Sequence, residues 1–294
     1  MSSPNMTGKT VAITGANSGI GRATAQALAA MGAEVLACGR SRTKLDAATA
    51  AIRQATGNQE VHALVADLSD LSQVRALAEA IQARTSRLDV LINNAGIATD
   101  RRVETPDGLE LTFAVNHMAP FVLTNALLPL LTASAPARVV TVSSALYASV
   151  KSLDLDDLQL TRGKFSWQTA YNQSKLANIL FTRELARRLE GTGVTANALH
   201  PGVIDTGFGA DGDLSGLNAL AFRVMKWFLP GPEKGARTSV YLASSPEVTG
   251  VTGRYFEASR EEVPGGLAQD DALALSLWER SEALAGRAAS TSVG

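Results

Sequence analysis

Residues 9–38, KTVAITGANSGIGRATAQALAAMGAEVLAC, decide the fold. KTVAIT is a short β-branched run and reads as a strand. TGANSGIG, Thr14 to Gly21, is a glycine-rich turn, and an alanine-rich helix follows from about Gly19 to Met31. AEVLAC then reads as a second strand. Gly15, Gly19 and Gly21 can take tight backbone conformations and admit a ligand close to the main chain. The start of the helix, with Asn17, Ser18 and Ile20 in the same segment, turns free N–H groups and a positive dipole end toward a pyrophosphate. The spacing is G-x-x-x-G-x-G, not the commoner dinucleotide spacing G-x-G-x-x-G. An ordinary glycine-rich turn is the competing reading. The strand before it and the helix after it favour a phosphate cradle.

The same alternation continues along the chain. A helix is predicted from about Arg42 to Thr56, and VHALVA, DVLIN, RVVTVS and VTANAL read as further buried strands with helical segments between. Near-continuous apolar strands alternating with helices indicate a parallel sheet covered on both faces. The predicted fold class is α/β: a single doubly wound, Rossmann-type domain over residues 1–294, without repeat or linker. Three stretches depart from the alternation. Residues 145–170 form a polar insertion, residues 207–232 combine glycines with large apolar side chains, and residues 287–294 read as a disordered tail.

Composition bounds the function classes. The chain has 294 residues, 46% apolar and 19% charged, with a formal net charge of -1. That balance gives no electrostatic case for nucleic acid or an anionic membrane. Cys38 is the only cysteine, which excludes an internal disulfide and a cysteine metal cluster and suits a reducing compartment. MSSPNMTGK has no apolar core of the signal-peptide kind. The apolar region near Phe121 to Leu131 is broken by Thr124, Asn125 and Pro129 and falls short of the ~18 apolar residues of a membrane span. A cytoplasmic location is expected. His62, His117 and His200 show no metal-like clustering in the sequence, so no metal site is predicted.

Two further positions bear on chemistry. The second strand ends at Cys38-Gly39-Arg40, where an acidic residue would bond a ribose diol and select NAD. Arg40 instead offers a guanidinium to a 2′-phosphate, with Arg42 as a second candidate, so NADP is expected over NAD. Two solvated surface arginines are the alternative. Asp67 and Leu68, after the third strand, could hold an adenine edge; Asp67 could equally cap a helix. Tyr171 and Lys175 lie four residues apart on a predicted helix and so project from one face. A phenol with an ordinary pKa of about 10 is a poor catalyst at neutral pH, and a fixed ammonium beside it favours the phenolate.

TGANSGIG, NNAG (Asn93 to Gly96), Asn116 in AVNHM, Ser143-Ser144 after RVVTV, YNQSK and HPGVIDT (His200 to Thr206) occur in this order. Together they resemble the short-chain dehydrogenase/reductase family over about residues 8–256. YNQSKLANILFTRELARRLEGTGV, LDLDDL, LHPGV and LWERSEALAG resemble its retinol-dehydrogenase-like branch, with the related WW-domain oxidoreductases. The resemblance implies a sheet order of 3-2-1-4-5-6-7. It implies Tyr171 as general acid in carbonyl reduction and base in alcohol oxidation, Ser144 as donor to the substrate oxygen, and Lys175 as the group that lowers the Tyr171 pKa and bonds the nicotinamide ribose. Asn116 would help hold a relay water. Asn94, Ala95 and Gly96 would line the cofactor near its ribose, and Pro201, Gly202, Val203 and Thr206 would edge the nicotinamide. Singly, Ser144 could be a strand-end cap, Asn116 a buried helix amide and Thr206 a helix N-cap.

Beyond Thr206, residues such as Phe208, Leu217, Leu220, Met225 and Trp227 resemble an amphipathic helix closing over a pocket, or else a core helix or an oligomer contact. The expected activity is interconversion of an alcohol and a carbonyl on an apolar small molecule. A homo-oligomer is expected from the resemblance. Two other functions compete: a nucleotide-sugar epimerase or dehydratase, for which G-x-x-G-x-x-G and a larger substrate domain are missing, and a non-enzymatic NADP-binding sensor, which would usually lack the Tyr and Lys.

Overall fold

The computed structural model describes residues 5–202 and 231–291. Seven strands run parallel: β1 (Thr10–Thr14), β2 (Glu34–Gly39), β3 (Val61–Val65), β4 (Val90–Asn93), β5 (Ala137–Val142), β6 (Val194–His200) and β7 (Tyr255–Glu257). The sheet order is β3-β2-β1-β4-β5-β6-β7-β8. This is the expected order with one addition, because β8 (Arg260–Glu262) returns antiparallel along β7. All three β8 residues are exposed and charged, so no apolar pattern announces the strand.

Helices cover both faces of the sheet: α1 (Gly19–Ala30), α2 (Arg42–Thr56), α3 (Leu71–Arg84), α4 (Leu111–Ala133), α5 (Trp167–Arg188), α6 (Pro232–Ser244) and α7 (Asp271–Thr291). Strand side chains alternate between two apolar layers, as a pleated strand requires. Val11, Ile13, Val35 and Ile92 meet α1, α2 and α6. Ala12, Leu36 and Leu91 meet α3, α4, α5 and α7. α2 ends at Gly57, whose φ of 73° is the left-handed conformation that glycine takes without strain, and its N–H bonds the Arg53 carbonyl.

The core explains several local features. α4 is long and apolar enough to cross a membrane by length and composition, but most of it is buried within the protein. It packs against α3, β4 and β5 as a core helix. Residues 114–118 of this helix form a π-turn inside the α-helix. The polar insertion is ordered by its own pattern. Leu158 is buried, Leu153 and Leu155 pack against the core, and the Asp157 carboxylate accepts bonds from Thr161 and from the Arg162 N–H.

The tail expectation needs correction. Residues 287–291 continue α7; residues 292–294 lie outside the described residues. The helix persists because Trp278 docks between Phe121 and Phe181, at centroid distances of 4.9 and 5.8 Å, while Ala288 is buried and Arg75 donates to the Ala285 carbonyl. Cys38 is buried at the end of β2, and burial pushes its thiol up to about 12, so it stays protonated at neutral pH.

Candidate active site

A cavity of about 320 Å³ opens at the carboxyl ends of the parallel strands, where α/β sheets hold ligands. From β1 and α1 it is lined by Gly15, Asn17, Ser18, Ile20 and Gly21. Arg40 follows β2, and Asp67 and Leu68 follow β3. Asn94, Ala95 and Gly96 line it from the end of β4, and Tyr171, Lys175 and Pro201 close the far side. A larger cavity of about 820 Å³ lies at the opposite ends of the strands, away from this constellation. Its charges are largely matched in pairs: Lys9 with Asp89, Arg183 with Asp271, and Arg187 with Glu184.

The cradle glycines let the turn pack tightly on itself and on the end of β4. Gly15 has φ 70°, and a Cβ there would sit 3.0 Å from the Asn94 Nδ2 and from the Ala95 Cα. A Cβ on Gly21 would lie 2.3 Å from the Gly15 carbonyl oxygen. Gly19 opens α1 with φ 52°. Ser18 stands at the N-cap without a side-chain capping bond, so its own hydroxyl takes none of the first-turn N–H groups. Thr14, which sequence reasoning left without a role, clasps β4 to β1. Its Oγ1 accepts from the N–H groups of Asn94 and Ala95 at 3.0 and 3.1 Å, and its carbonyl accepts from the Asn94 amide at 2.8 Å. This open, donor-rich groove fits a dinucleotide. Asp67 neither caps α3 nor stands unused. Asp70 is the N-cap, and Asp67 accepts from the Ser69 N–H and hydroxyl.

The four residues expected to act together converge beyond Gly96. Ser166 caps α5 through the Thr169 N–H, and one turn later Tyr171 and Lys175 face the cavity. Lys175 Nζ lies 5.5 Å from the Tyr171 ring centroid and donates to the Val142 carbonyl at 3.2 Å. Ser144 bonds the Tyr171 hydroxyl and also accepts from the Leu146 N–H at 3.3 Å. A hydroxyl that accepts from a main-chain N–H keeps its own proton for donation. Ser143 also borders the cavity, but its hydroxyl donates to the Lys175 carbonyl at 2.7 Å.

Asn116 sits in the π-turn. Its amide donates to the Ile97 carbonyl and to Ser174 Oγ, and its oxygen accepts from the Ile97 N–H at 2.8 Å. Ser174 passes the link on, donating to the Tyr171 carbonyl at 2.7 Å. A Cβ on Gly96 would lie 3.1 Å from Lys175 Nζ and 3.4 Å from Asn116 Oδ1. Ser174 and Ser143 carry no separate sequence signal beyond their places in YNQSK and in the serine pair.

One expectation about electrostatics is corrected. Burial, rather than Lys175, governs the Tyr171 phenol. Although Tyr171 keeps some surface open to the cavity, desolvation pushes it up to about 12, opposed only by the Ser144 bond. Burial brings the Lys175 ammonium down to about 8. The phenol is therefore the protonated, donating form across neutral pH.

Gly202, with φ 88°, ends the first described stretch. Val203, Thr206 and the expected pocket cover lie outside the described residues, apart from Gly231 and Pro232, which lead into α6. The expectation of no metal-like clustering is also modified. Pairing of β2 with β3 brings Glu34, Glu60 and His62 together, with one ligand atom each within 4.8 Å. Arg84 already occupies this cluster, 2.7 Å from His62 Nε2 and 3.7 Å from Glu34, which supplies the positive charge a metal would bring.

Comparison with known proteins gives a consistent result. A family model described as short chain dehydrogenase matches residues 9–153 and 159–213. The chain is 46% identical to retinol dehydrogenase 14 of Homo sapiens, across 96% of this chain and 87% of that protein. A solved Mycobacterium paratuberculosis structure superposes with a TM-score of 0.75 at 36% identity, covering 96% of this chain and 95% of the other. A short chain dehydrogenase of Escherichia coli CFT073, solved in complex with NADPH, superposes with a TM-score of 0.70 at 27% identity, covering 88% of this chain and all of the other.

Proposed function

The chain belongs to the short chain dehydrogenase family and is an NAD(P)-dependent oxidoreductase interconverting alcohol and carbonyl groups, and from that premise we propose that it prefers NADP and works through Tyr171 on an apolar substrate. The observation that carries the reading is the convergence of the Ser144–Tyr171 hydrogen bond and the Lys175 ammonium on one wall of the cradle cavity. The nicotinamide supplies or accepts the hydride when bound. The chain's own groups handle the proton and the charge on oxygen. In reduction, the Tyr171 hydroxyl donates a proton to the substrate oxygen, and the Ser144 hydroxyl donates a hydrogen bond to the same atom as charge develops. Lys175, largely charged below a pKa of about 8, stabilises the phenolate left behind. In oxidation the proton travels the other way. Asn116 fixes the Ile97 turn beside Lys175 and ties it to α5 through Ser174.

The cradle residues Gly15, Asn17, Ser18, Gly19, Ile20 and Gly21 would receive the phosphates, Asp67 and Leu68 the adenine, and Asn94, Ala95 and Gly96 the ribose side. Support for NADP comes from Arg40, exposed on the cavity rim where an NAD-selective site would carry a carboxylate. The kinship to retinol dehydrogenase 14 supports an apolar alcohol, aldehyde or ketone as substrate. The test is a panel of apolar aldehydes and alcohols, retinal and retinol included, followed through nicotinamide absorbance with each cofactor. Turnover with NADPH above NADH is expected. Intact NADPH binding with no turnover of any panel member would overturn the catalytic reading and favour a sensor.

Arg40→Ala is expected to weaken NADPH binding by roughly tenfold or more, the equivalent of one lost charge-assisted bond, and to leave NADH nearly unchanged. Fluorescence titration with both cofactors measures this. Equal losses would remove Arg40 from the 2′-phosphate role.

A further inference from the structure

The serine assigned to the substrate oxygen sits on a turn that packing alone holds loosely. After Ser144 the chain makes one short 3₁₀ turn, Ala145–Ser149, in which Tyr147 is the buried side chain while Ala145, Leu146, Ala148 and Ser149 are exposed. Tyr147 pins the turn at one point. Its ring centroid lies 5.5 Å from that of Tyr255, and its hydroxyl accepts from the Gly265 N–H at 3.0 Å. A single buried anchor leaves a short exposed turn free to rock about it. A second tie comes from α5. Asn172, the residue after Tyr171, donates through Nδ2 to Ser149 Oγ at 2.7 Å. Ser149 Oγ in turn donates to the Leu146 carbonyl at 2.8 Å, and the Leu146 N–H donates to Ser144 Oγ at 3.3 Å. The string therefore runs from the residue beside Tyr171 back to the Ser144 hydroxyl.

We propose that Asn172 and Ser149 are positioning residues that fasten the Ser144 turn to the helix carrying Tyr171, and so hold the two hydroxyls in register on one substrate oxygen. The proposal rests on the reading of Ser144 and Tyr171 as partners at that oxygen. The direction of each bond follows from where the protons lie. Ser149 has one hydroxyl proton, committed to the Leu146 carbonyl, so toward Asn172 it can only accept. Asn172 must then present Nδ2, and its Oδ1 takes no partner among the described residues. An amide turned the other way would set oxygen against oxygen. Register matters because a donor stabilises charge on a reacting oxygen only within hydrogen-bond distance. A misplacement of about 1 Å can cost roughly a hundredfold in rate, and a turn that rocks away for part of the time loses a fraction of that. The tie reaches the chemistry only through Ser144, which is what makes it testable.

The test uses the full chain with Asn172→Leu, Ser149→Ala and Ser149→Thr, each made alone and again in a Ser144→Ala background. Leucine keeps the bulk of the amide without its donor, and alanine removes the relaying hydroxyl. Threonine retains that hydroxyl, and its added methyl has room because Ser149 is exposed. The first readout needs neither substrate nor cofactor. It is the exchange of the Leu146 N–H with solvent, followed by NMR. Asn172→Leu and Ser149→Ala are expected to raise the exchange rate at least about threefold, the size of one neutral hydrogen bond near water, and Ser149→Thr to leave it close to the parent rate. The second readout is steady-state kinetics. kcat/KM is expected to fall roughly three- to tenfold in Asn172→Leu and Ser149→Ala, mainly through kcat, while the NADPH dissociation constant changes less than about twofold. In the Ser144→Ala background the same substitutions are expected to cost less than about twofold, because the group they position is gone. An unchanged Leu146 exchange rate in either folded variant would overturn the proposal. So would a Ser149→Thr protein as slow as Ser149→Ala, or a loss that persists in full without the Ser144 hydroxyl, as a merely structural role requires. An absence of turnover in the unaltered protein would count against the proposed function, and the exchange rates would then decide this inference.

Discussion

Tyr171→Phe lowers kcat by roughly 10²- to 10⁴-fold and leaves the NADPH dissociation constant nearly unchanged; this is the expected result of removing one hydroxyl from the cavity wall. The ring stays, so the 5.5 Å packing of Lys175 against it survives. Only the proton donor and its bond to Ser144 are lost. Because burial holds the phenol near 12, the reductive rate should change little between pH 6 and pH 8, where the donor remains protonated. The oxidative rate should climb with pH over the same span, since it needs the phenolate. Equal turnover by the variant, or an oxidative rate indifferent to pH, would remove Tyr171 from acid-base chemistry.

Gly21→Ala attacks the cradle itself. The new Cβ would lie 2.3 Å from the Gly15 carbonyl oxygen and 2.5 Å from the Asn94 Nδ2. Neither neighbour can retreat cheaply. Gly15 is main chain in a left-handed turn, and the Asn94 amide is bonded to the Thr14 carbonyl. Overpacking of this kind costs about 1–3 kcal/mol of stability. The displacement also opens the Thr14 clasp that joins β1 to β4 across the groove. A fall in Tm, together with NADPH binding weakened at least about tenfold, is expected. Thermal melts and fluorescence titration check both, and a variant equal to the parent in each would show that the cradle does not need its glycine there.

Much of this architecture is legible in the chain. Residues 9–38 carry β-branched runs, a glycine turn and an alanine-rich helix, and each local preference agrees with the parallel sheet that forms. The cavity lining from Gly15 to Pro201 follows from the same reading, because strand ends in an open α/β sheet are where loops meet. Other features depend on distance through space. Glu34 joins Glu60 and His62 only once β2 and β3 pair. β8 is three charged residues whose pairing is set by the turn at Ala258 and Ser259, both with positive φ. The direction of the Tyr171 shift depends on how much water the ring loses, which no spacing reveals. The π-turn at residues 114–118 leaves no mark either, because an apolar helix reads the same with one residue too many.

That surplus residue has a geometric consequence. An α-helix advances about 100° per residue, so a wide turn re-aims everything after it by roughly that angle. Leu111 and Val115 border the ligand cavity, while Leu123, Leu127 and Leu131, farther along the same rod, are directed into the apolar layer beneath the sheet. Shortening the chain by one residue at the wide turn would restore a uniform screw and leave one of these two sets aimed at the wrong neighbours. The rod serves as keel and as chamber wall because its two halves are out of phase.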